Sequence, residues 1–213
     1  MSFFSFFKKP EVFRSKINGT ISIGPSYGKK ALFVGRVPQS GGEFVYMWDT
    51  IINTVAKSGL KSKSVLLLGV AGGTAVKSLQ KAYPKSTILG IDIDPVIVHV
   101  AEKYFNLRGN KKLTIHIADA IKWVKNCKSN KNYDLIIVDL YLGSLNPDGA
   151  RTKSFLVSLK NLLSPHGMII YNCDYQQENR EKYLQYKKTC EKEFKKVEEI
   201  FSYKLNRVLV LQN

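Results

Sequence analysis

The chain of 213 residues contains only three cysteines, Cys127, Cys173 and Cys190, and none of them forms a Cys-x-x-Cys pair. This spacing excludes a disulfide framework and a zinc knuckle, and it favours a reducing, cytoplasmic location. The sequence also lacks any apolar run near the ~20 residues that a membrane helix requires. We therefore expect a protein that folds around its own apolar core, without a metal, a disulfide or a membrane span.

Acidic residues are scarce as well: 17 Asp and Glu stand against 33 Lys and Arg, which gives a formal net charge of +16. The excess is spread along the chain rather than collected in one tail. Such a charge either reflects ordinary solvated lysines or attracts an anionic partner such as nucleic acid. The sequence has no nucleic-acid-binding motif and no local patch in which basic residues alternate with aromatic ones, so both interpretations stay open.

Residues 1–58 are predicted to form an N-terminal appendage. The Phe-rich segment 3–7 is too short for a signal peptide and its charges follow it, so we interpret it as a packed or interface-seeking segment, with a weak membrane-surface anchor as the alternative. Apolar residues alternate over 20–24 and 31–35 around a Gly/Pro turn, which predicts a β-hairpin, and helical spacing follows over 44–55. A hairpin is marginally stable alone, so we expect it to pack on the main body or to form a homodimer contact.

Residues 59–213 alternate between strand and helix patterns. The run Val65-Leu-Leu-Leu68 is typical of a parallel strand that is buried on both faces. Further strands are predicted at 87–92, 113–118, 133–139 and 167–172, with helices between them, and two closing strands at 197–201 and 207–211. The pattern predicts an α/β, Rossmann-like, doubly wound and mostly parallel sheet with an antiparallel C-terminal strand.

Candidate binding residues stand where the predicted strands end, which is where open α/β sheets bind ligands. A loop of small residues after the first strand lets a ligand approach the backbone. Asp92 is placed to accept ribose hydroxyls and Asp119 to accept an adenine amino group, while Asp139 points into the same crevice. Each feature alone is also typical of a turn or a helix cap; together they predict a nucleoside-containing cofactor. The predicted cofactor-binding residues are Gly69, Val70, Ala71, Gly72, Gly73, Asp92, Ile93, Asp119, Ala120 and Asp139.

This series resembles class I S-adenosylmethionine-dependent transferases, and more specifically the spermidine synthase family of polyamine aminopropyltransferases. The resemblance rests on the segments 65–74, 90–95, 116–120 and 133–139, and it extends upstream to Gln39 and residues 43–46. It implies a cofactor that is S-adenosylmethionine or its decarboxylated form.

Two departures from the family pattern indicate a changed activity. The family's first loop carries an Asp that meets the amine of the decarboxylated cofactor, where this chain has Gly72; a second acid after the fourth strand is replaced by Leu142. Intact S-adenosylmethionine keeps a carboxylate that an acid would repel, and a protonated polyamine needs several acids around it. We therefore predict a methyltransferase that acts on a small-molecule, non-polyamine acceptor. The alternatives are a true aminopropyltransferase, a nicotinamide dehydrogenase, and a non-catalytic module that binds a nucleoside or nucleic acid.

Few residues are candidates for the chemistry itself. A methyl transfer from a sulfonium is a displacement that needs positioning and at most one base. Asp139 is the candidate base or acceptor-orienting group, and the predicted acceptor-binding residues are Gln39, Tyr46 and Tyr141.

Overall fold

The computed structural model describes residues 11–127 and 132–213, so the Phe-rich segment 3–7 lies outside the described residues. Its helices follow the amphipathic stretches of the sequence. They are α1 (Phe44–Lys57), α2 (Thr74–Ala82), α3 (Pro95–Tyr104), α4 (Ala120–Asn126), α5 (Lys153–Asn161) and α6 (Arg180–Glu193). Among these residues, no helix combines the length and the hydropathy that crossing a membrane requires.

The N-terminal sheet has four antiparallel strands rather than the two of the predicted hairpin. They are β1 (Glu11–Ser15), β2 (Gly19–Ser26), β3 (Lys29–Val34) and β4 (Val37–Gly41), and they pair in chain order. The segment interpreted as a turn after residue 35 continues as β4, with Pro38 tolerated because β4 is an edge strand. The two-strand prediction was therefore incomplete.

The main sheet has seven strands in the order β10-β11-β9-β8-β5-β6-β7. Strands β5 to β9 are mutually parallel, whereas β11 runs antiparallel to both β9 and β10. This confirms the Rossmann-like, mostly parallel sheet with an antiparallel C-terminal strand. The strands are β5 (Ser64–Leu68), β6 (Thr87–Asp92), β7 (Leu113–Ile117), β8 (Tyr133–Val138), β9 (Leu163–Asp174), β10 (Lys196–Tyr203) and β11 (Asn206–Gln212).

Apolar cores lie on both faces of the main sheet. Residues of α4, α5 and α6 pack on one face and residues of α1 and α2 on the other. A third, smaller core joins the N-terminal sheet to α3. Strand β5 lies between β6 and β8, and the strand order proceeds in opposite directions on its two sides. The crevice beyond the carboxyl end of β5 is therefore the position at which a ligand is expected.

A buried carboxylate ties the N-terminal sheet to the main sheet. Asp94 is fully buried at the start of α3, where its Oδ1 accepts from the backbone N–H of Val96. Its Oδ2 accepts from Ser15 Oγ at the end of β1 and from Asn18 Nδ2, in the β1–β2 turn, at 2.7 Å. The N-terminal sheet is thereby fixed beside the carboxyl ends of the parallel strands.

Candidate functional site

A cavity of about 350 Å³ opens beyond the carboxyl ends of β5, β6 and β8. Its walls come from the strand-end loops of the main sheet, from β3 and β4 of the N-terminal sheet, and from the turn between β10 and β11. Nine of the residues predicted from the sequence line it, namely Gln39, Gly69, Ala71, Asp92, Ile93, Asp119, Ala120, Asp139 and Tyr141. The structure thus brings most of the predicted site together in one place.

The glycine loop after β5 is shaped by two close approaches. Gly69 has φ +90°, and a Cβ there would lie 2.1 Å from the carbonyl oxygen of Asp139. A Cβ on Gly72 would lie 2.9 Å from both Cβ and Oγ of Ser40 on β4. A side chain at Gly69 would collide with backbone, whereas one at Gly72 would require Ser40 to shift, and the loops after β5 and β8 meet at the switch point.

Asp92 holds this loop in place at the end of β6. Its Oδ2 accepts from the backbone N–H groups of Val70 and Ala71, each at 3.0 Å, and its Oδ1 accepts from that of Asp94. The side chain is buried, and this burial raises the pKa of Asp92 although the three donors lower it. The carboxylate that the sequence predicts to bind ribose therefore holds the shape of the loop that lines the cavity.

Asp119 begins α4 as its N-cap, which is the helix-capping role considered from the sequence. Its Oδ1 accepts from the backbone N–H groups of Ile121 and Lys122 at 3.0 and 3.2 Å. The other oxygen, Oδ2, lies 3.7 Å from Lys122 Nζ in a surface ion pair, and the partly exposed side chain lines the cavity together with Ala120 and Ile121. Ile93, 40% exposed, adds an apolar surface directly after β6.

Asp139 stands directly after β8 at the inner end of the cavity. Its Oδ1 accepts from Asn172 Nδ2 at 2.8 Å. Burial raises the pKa of Asp139 to about 7; the bond from Asn172 lowers it and the charge of Asp92 raises it. At neutral pH a carboxyl group with this pKa is partly protonated and partly ionised, and the ionised form can take up a proton.

A chain of amides connects Asp139 to Tyr141. Asn206 Nδ2 donates to Asn172 Oδ1 at 3.0 Å and to the hydroxyl of Tyr141 at 2.9 Å. Burial and the nearby Asp139 charge raise the pKa of Tyr141 well above its usual value, so the phenol stays protonated. Sequence reasoning missed both asparagines, although Asn172 interrupts the apolar strand β9 and so gave a signal.

Two contacts cross the entrance of the cavity. Gln39 Nε2 donates to the carbonyl oxygen of Gly143 at 2.7 Å, which joins β4 to the loop after β8. Lys204, in the β10–β11 turn, forms an ion pair with Glu43 at the start of α1. All four residues line the cavity, so the N-terminal sheet, the β8 loop and the C-terminal hairpin form its rim.

Four predicted site residues do not line the cavity. Phe44 and Trp48 lie on the face of α1 that lines the cavity. Tyr46 is two residues away from each of them and therefore lies on a different face of the helix, where it is 69% exposed. Val70 is buried in the core on the α1 side of the sheet. Gly72 packs against Ser40 and Gly73 packs against Leu107. Their contribution is to the shape of the loop.

The sheet order and the cavity at its switch point define a class: a Rossmann-like fold of the type that methyltransferases and spermidine synthases share. A family model for the spermine/spermidine synthase domain matches residues 43–204, which is more than half of the chain. The chain therefore belongs to the spermine/spermidine synthase family.

The similar proteins include two kinds of transferase. A polyamine aminopropyltransferase of Vibrio vulnificus is 32% identical over 113 residues, covering 53% of this chain and 38% of that protein. An eEF1A lysine and N-terminal methyltransferase homolog of Drosophila pseudoobscura is 32% identical over 117 residues, covering 52% of this chain and 17% of that protein. The chain thus spans less than half the length of these two curated relatives.

Solved structures show the same fold. A probable spermidine synthase from Corynebacterium glutamicum superposes with a TM-score of 0.78 at 17% identity, covering 95% of this chain and 79% of that one. Human methyltransferase-like protein 13 in complex with SAH gives a TM-score of 0.67 at 22% identity, covering 80% of this chain and 82% of that one.

Proposed function

We propose that this protein is an S-adenosylmethionine-dependent transferase that moves a methyl group to an acceptor other than a polyamine. Membership of the spermine/spermidine synthase family and the relatives' names, which include both aminopropyltransferases and methyltransferases, support the transferase class. The structure of human methyltransferase-like protein 13 holds SAH in the same fold, which supports the cofactor.

The cofactor half of the cavity fits a nucleoside with an attached amino acid. The volume of the whole cavity, about 350 Å³, is within the range of small-molecule sites. Ile93 and Ile121 offer apolar faces to a purine ring, and Asp119 Oδ2, which is engaged only in a surface ion pair with Lys122 at 3.7 Å, can accept from its amino group. The loop beside Gly72 carries no acid, so it does not repel the carboxylate of an intact S-adenosylmethionine.

The observation that carries the choice of methyl transfer is the acceptor half of the cavity. Asp139 is the carboxylate at its inner end, and Leu140, Leu142 and Leu205 surround it with apolar surface. Glu43, a carboxylate at the rim, is paired with Lys204. A polyamine carries several positive charges, and each charge that is taken out of water needs a partner. This half of the cavity therefore favours an acceptor with at most one positive charge.

The chemistry assigned to the chain is positioning and proton uptake. When bound, S-adenosylmethionine would supply the methyl group on its sulfonium and would leave as the neutral thioether, which keeps the electron pair of the broken carbon–sulfur bond. Asp139, with its pKa of about 7, takes the proton that the acceptor loses, and Asn172 holds the carboxylate in one orientation. The protonated hydroxyl of Tyr141 is a hydrogen-bond donor or acceptor for the incoming group.

Aminopropyl transfer from decarboxylated S-adenosylmethionine is the alternative, and a specific observation favours it. The four-stranded N-terminal sheet, Gln39 and Asp139 all stand at the cavity, and a spermidine synthase structure matches 95% of the chain. The two functions differ in the cofactor form that binds more tightly.

Calorimetric titration of the purified protein with S-adenosylmethionine tests the proposed cofactor site. We expect binding that Ile93→Ala weakens by about tenfold, because the variant removes three carbons from a partly exposed apolar wall. The matched control is Ile117→Ala, since Ile117 is 56% exposed on β7 and does not line the cavity.

Equal effects of the two variants, or binding that neither variant changes, would place the cofactor elsewhere. No binding of S-adenosylmethionine by the folded wild-type protein would refute the proposed transferase.

A further inference from the structure

Four lysines that are distant in sequence meet on the surface beside α1. Lys29 and Lys30 begin β3, while Lys77 and Lys81 lie one turn apart on α2, and all four side chains are exposed. Partial desolvation and the charges of Lys30 and Lys81 lower the pKa of Lys77. The charges of Lys81 and Lys29 also contribute to a lowered pKa of Asp49. We call these four residues the lysine patch.

The lysine patch has little compensating negative charge. Lys81 Nζ lies 2.9 Å from Asp49 Oδ2, and Lys30 Nζ donates to the carbonyl oxygen of Tyr104 at 3.1 Å. Asp49 also accepts from Ser78 on α2, and of the four ammonium groups those of Lys81 and Lys29 interact with its charge. Crowding of like charges opposes folding, and such a concentration is typical of a surface that binds an anion.

An aromatic side chain connects the lysine patch to the rim of the cavity. Tyr27 is 70% exposed in the β2–β3 turn, two residues before Lys29. Its hydroxyl accepts from Lys204 Nζ at 3.2 Å, and the same ammonium lies 5.3 Å from its ring centre. Lys204 itself lines the cavity. Folding therefore assembles, from separate segments, the mixture of basic and aromatic residues that the sequence does not show locally.

We propose that the lysine patch and Tyr27 form a binding surface for single-stranded nucleic acid that leads to the entrance of the cavity. Lysine ammonium groups are point charges that bind phosphates without regard to sequence, and an exposed ring is a surface on which a base stacks. An acidic protein segment would use the ammonium groups but not the ring. This surface does not depend on the proposed methyl transfer, because nucleic acid can bind whether or not the cavity is catalytic.

Fluorescence anisotropy with a labelled oligouridine of about 12 nucleotides tests the surface on the full chain. If the four lysines neutralise about four phosphates, affinity should fall about 50-fold between 50 and 200 mM salt. Replacing all four by Gln should remove most of this salt dependence. Tyr27→Asn should weaken binding at least about fivefold, and Asn suits the left-handed backbone at this position, φ +48°.

A control variant changes the net charge equally on the opposite face of the sheet. It replaces four exposed lysines of α6 and the following residues by Gln, namely Lys182, Lys188, Lys192 and Lys195. We expect this variant to bind nearly as tightly as the wild type. Circular dichroism melting of both variants establishes that they are folded.

Three results would overturn the proposal. Equal losses in the patch and control variants would mean that only net charge matters. Tighter binding of a polyglutamate peptide of equal charge would make the partner an acidic protein. An unchanged affinity in Tyr27→Asn would remove the base-stacking contact that distinguishes nucleic acid from other polyanions.

Discussion

Replacing Asp139 by Asn should make the protein more stable at neutral and alkaline pH while removing its activity. The carboxyl group sits at the inner end of the cavity, and its pKa is raised from 3.8 to about 7. The variant keeps an oxygen that can accept the bond from Asn172 Nδ2, so the exchange removes the charge and little else. Stability and function are therefore expected to change in opposite directions.

The magnitude follows from proton linkage. A carboxyl with a higher pKa in the folded state binds its proton more tightly there than in the unfolded chain. The contribution of Asp139 to the free energy of unfolding is thus highest below about pH 4, falls between about pH 4 and 7, and is constant above. A shift of about 3 units corresponds to about 4 kcal/mol. Solvent in the cavity screens part of this electrostatic free energy. We therefore expect the free energy of unfolding of Asp139→Asn to exceed that of the wild type by about 2–4 kcal/mol at pH 8 and by almost nothing at pH 4.

Urea denaturation at the two pH values measures this difference directly. Asp119→Asn is the matched control, because Asp119 also lines the cavity but is half-exposed, and Asn is an equally good helix cap. We expect the control to differ little from the wild type at either pH. An Asp139→Asn variant that is less stable than the wild type at pH 8, or a gain in stability that is the same at pH 4, would contradict a raised pKa of Asp139 in the folded protein.

Other perturbations should have the following effects. Gly72→Asp should lower the free energy of unfolding by about 1–3 kcal/mol in urea titrations, because its Cβ would lie 2.9 Å from Ser40; unchanged stability would contradict the packing. Arg151→Met should cost about 3–5 kcal/mol by the same measurement, because it leaves the buried carboxylate of Asp174 without its 2.6 Å ion-pair partner. The rate of methyl transfer should rise with pH to a plateau above about 7 as Asp139 ionises, and a flat pH–rate profile would exclude it as the base.

The main sheet could be predicted from the sequence because its strands are buried on both faces. Val65-Leu-Leu-Leu68 has to be a strand in a covered parallel sheet, and β6 and β8 follow the same rule. The N-terminal sheet was predicted only in part. Strand β1 is largely exposed and shows no apolar alternation, and β4 contains Pro38, which is typical of a turn as well as of an edge strand.

The site could be predicted where each residue follows a strand in a known order. Asp92, Asp119 and Asp139 come together because parallel strands end at one edge of the sheet. The hydrogen bonds that hold these site residues depend on contacts between distant segments, such as Asn172 with Asn206, and no local pattern encodes them. For the same reason the pairing of Glu43 with Lys204 across the rim was not foreseen.

The relative affinities of the two cofactor forms distinguish methyl transfer from aminopropyl transfer. Calorimetry of the wild-type protein with S-adenosylmethionine and with its decarboxylated form compares ligands that differ only in one carboxylate. Because the loop at Gly72 carries no acid to meet the amine of the decarboxylated form, we predict that the intact form binds more tightly. Tighter binding of the decarboxylated form would contradict methyl transfer and establish the aminopropyl alternative.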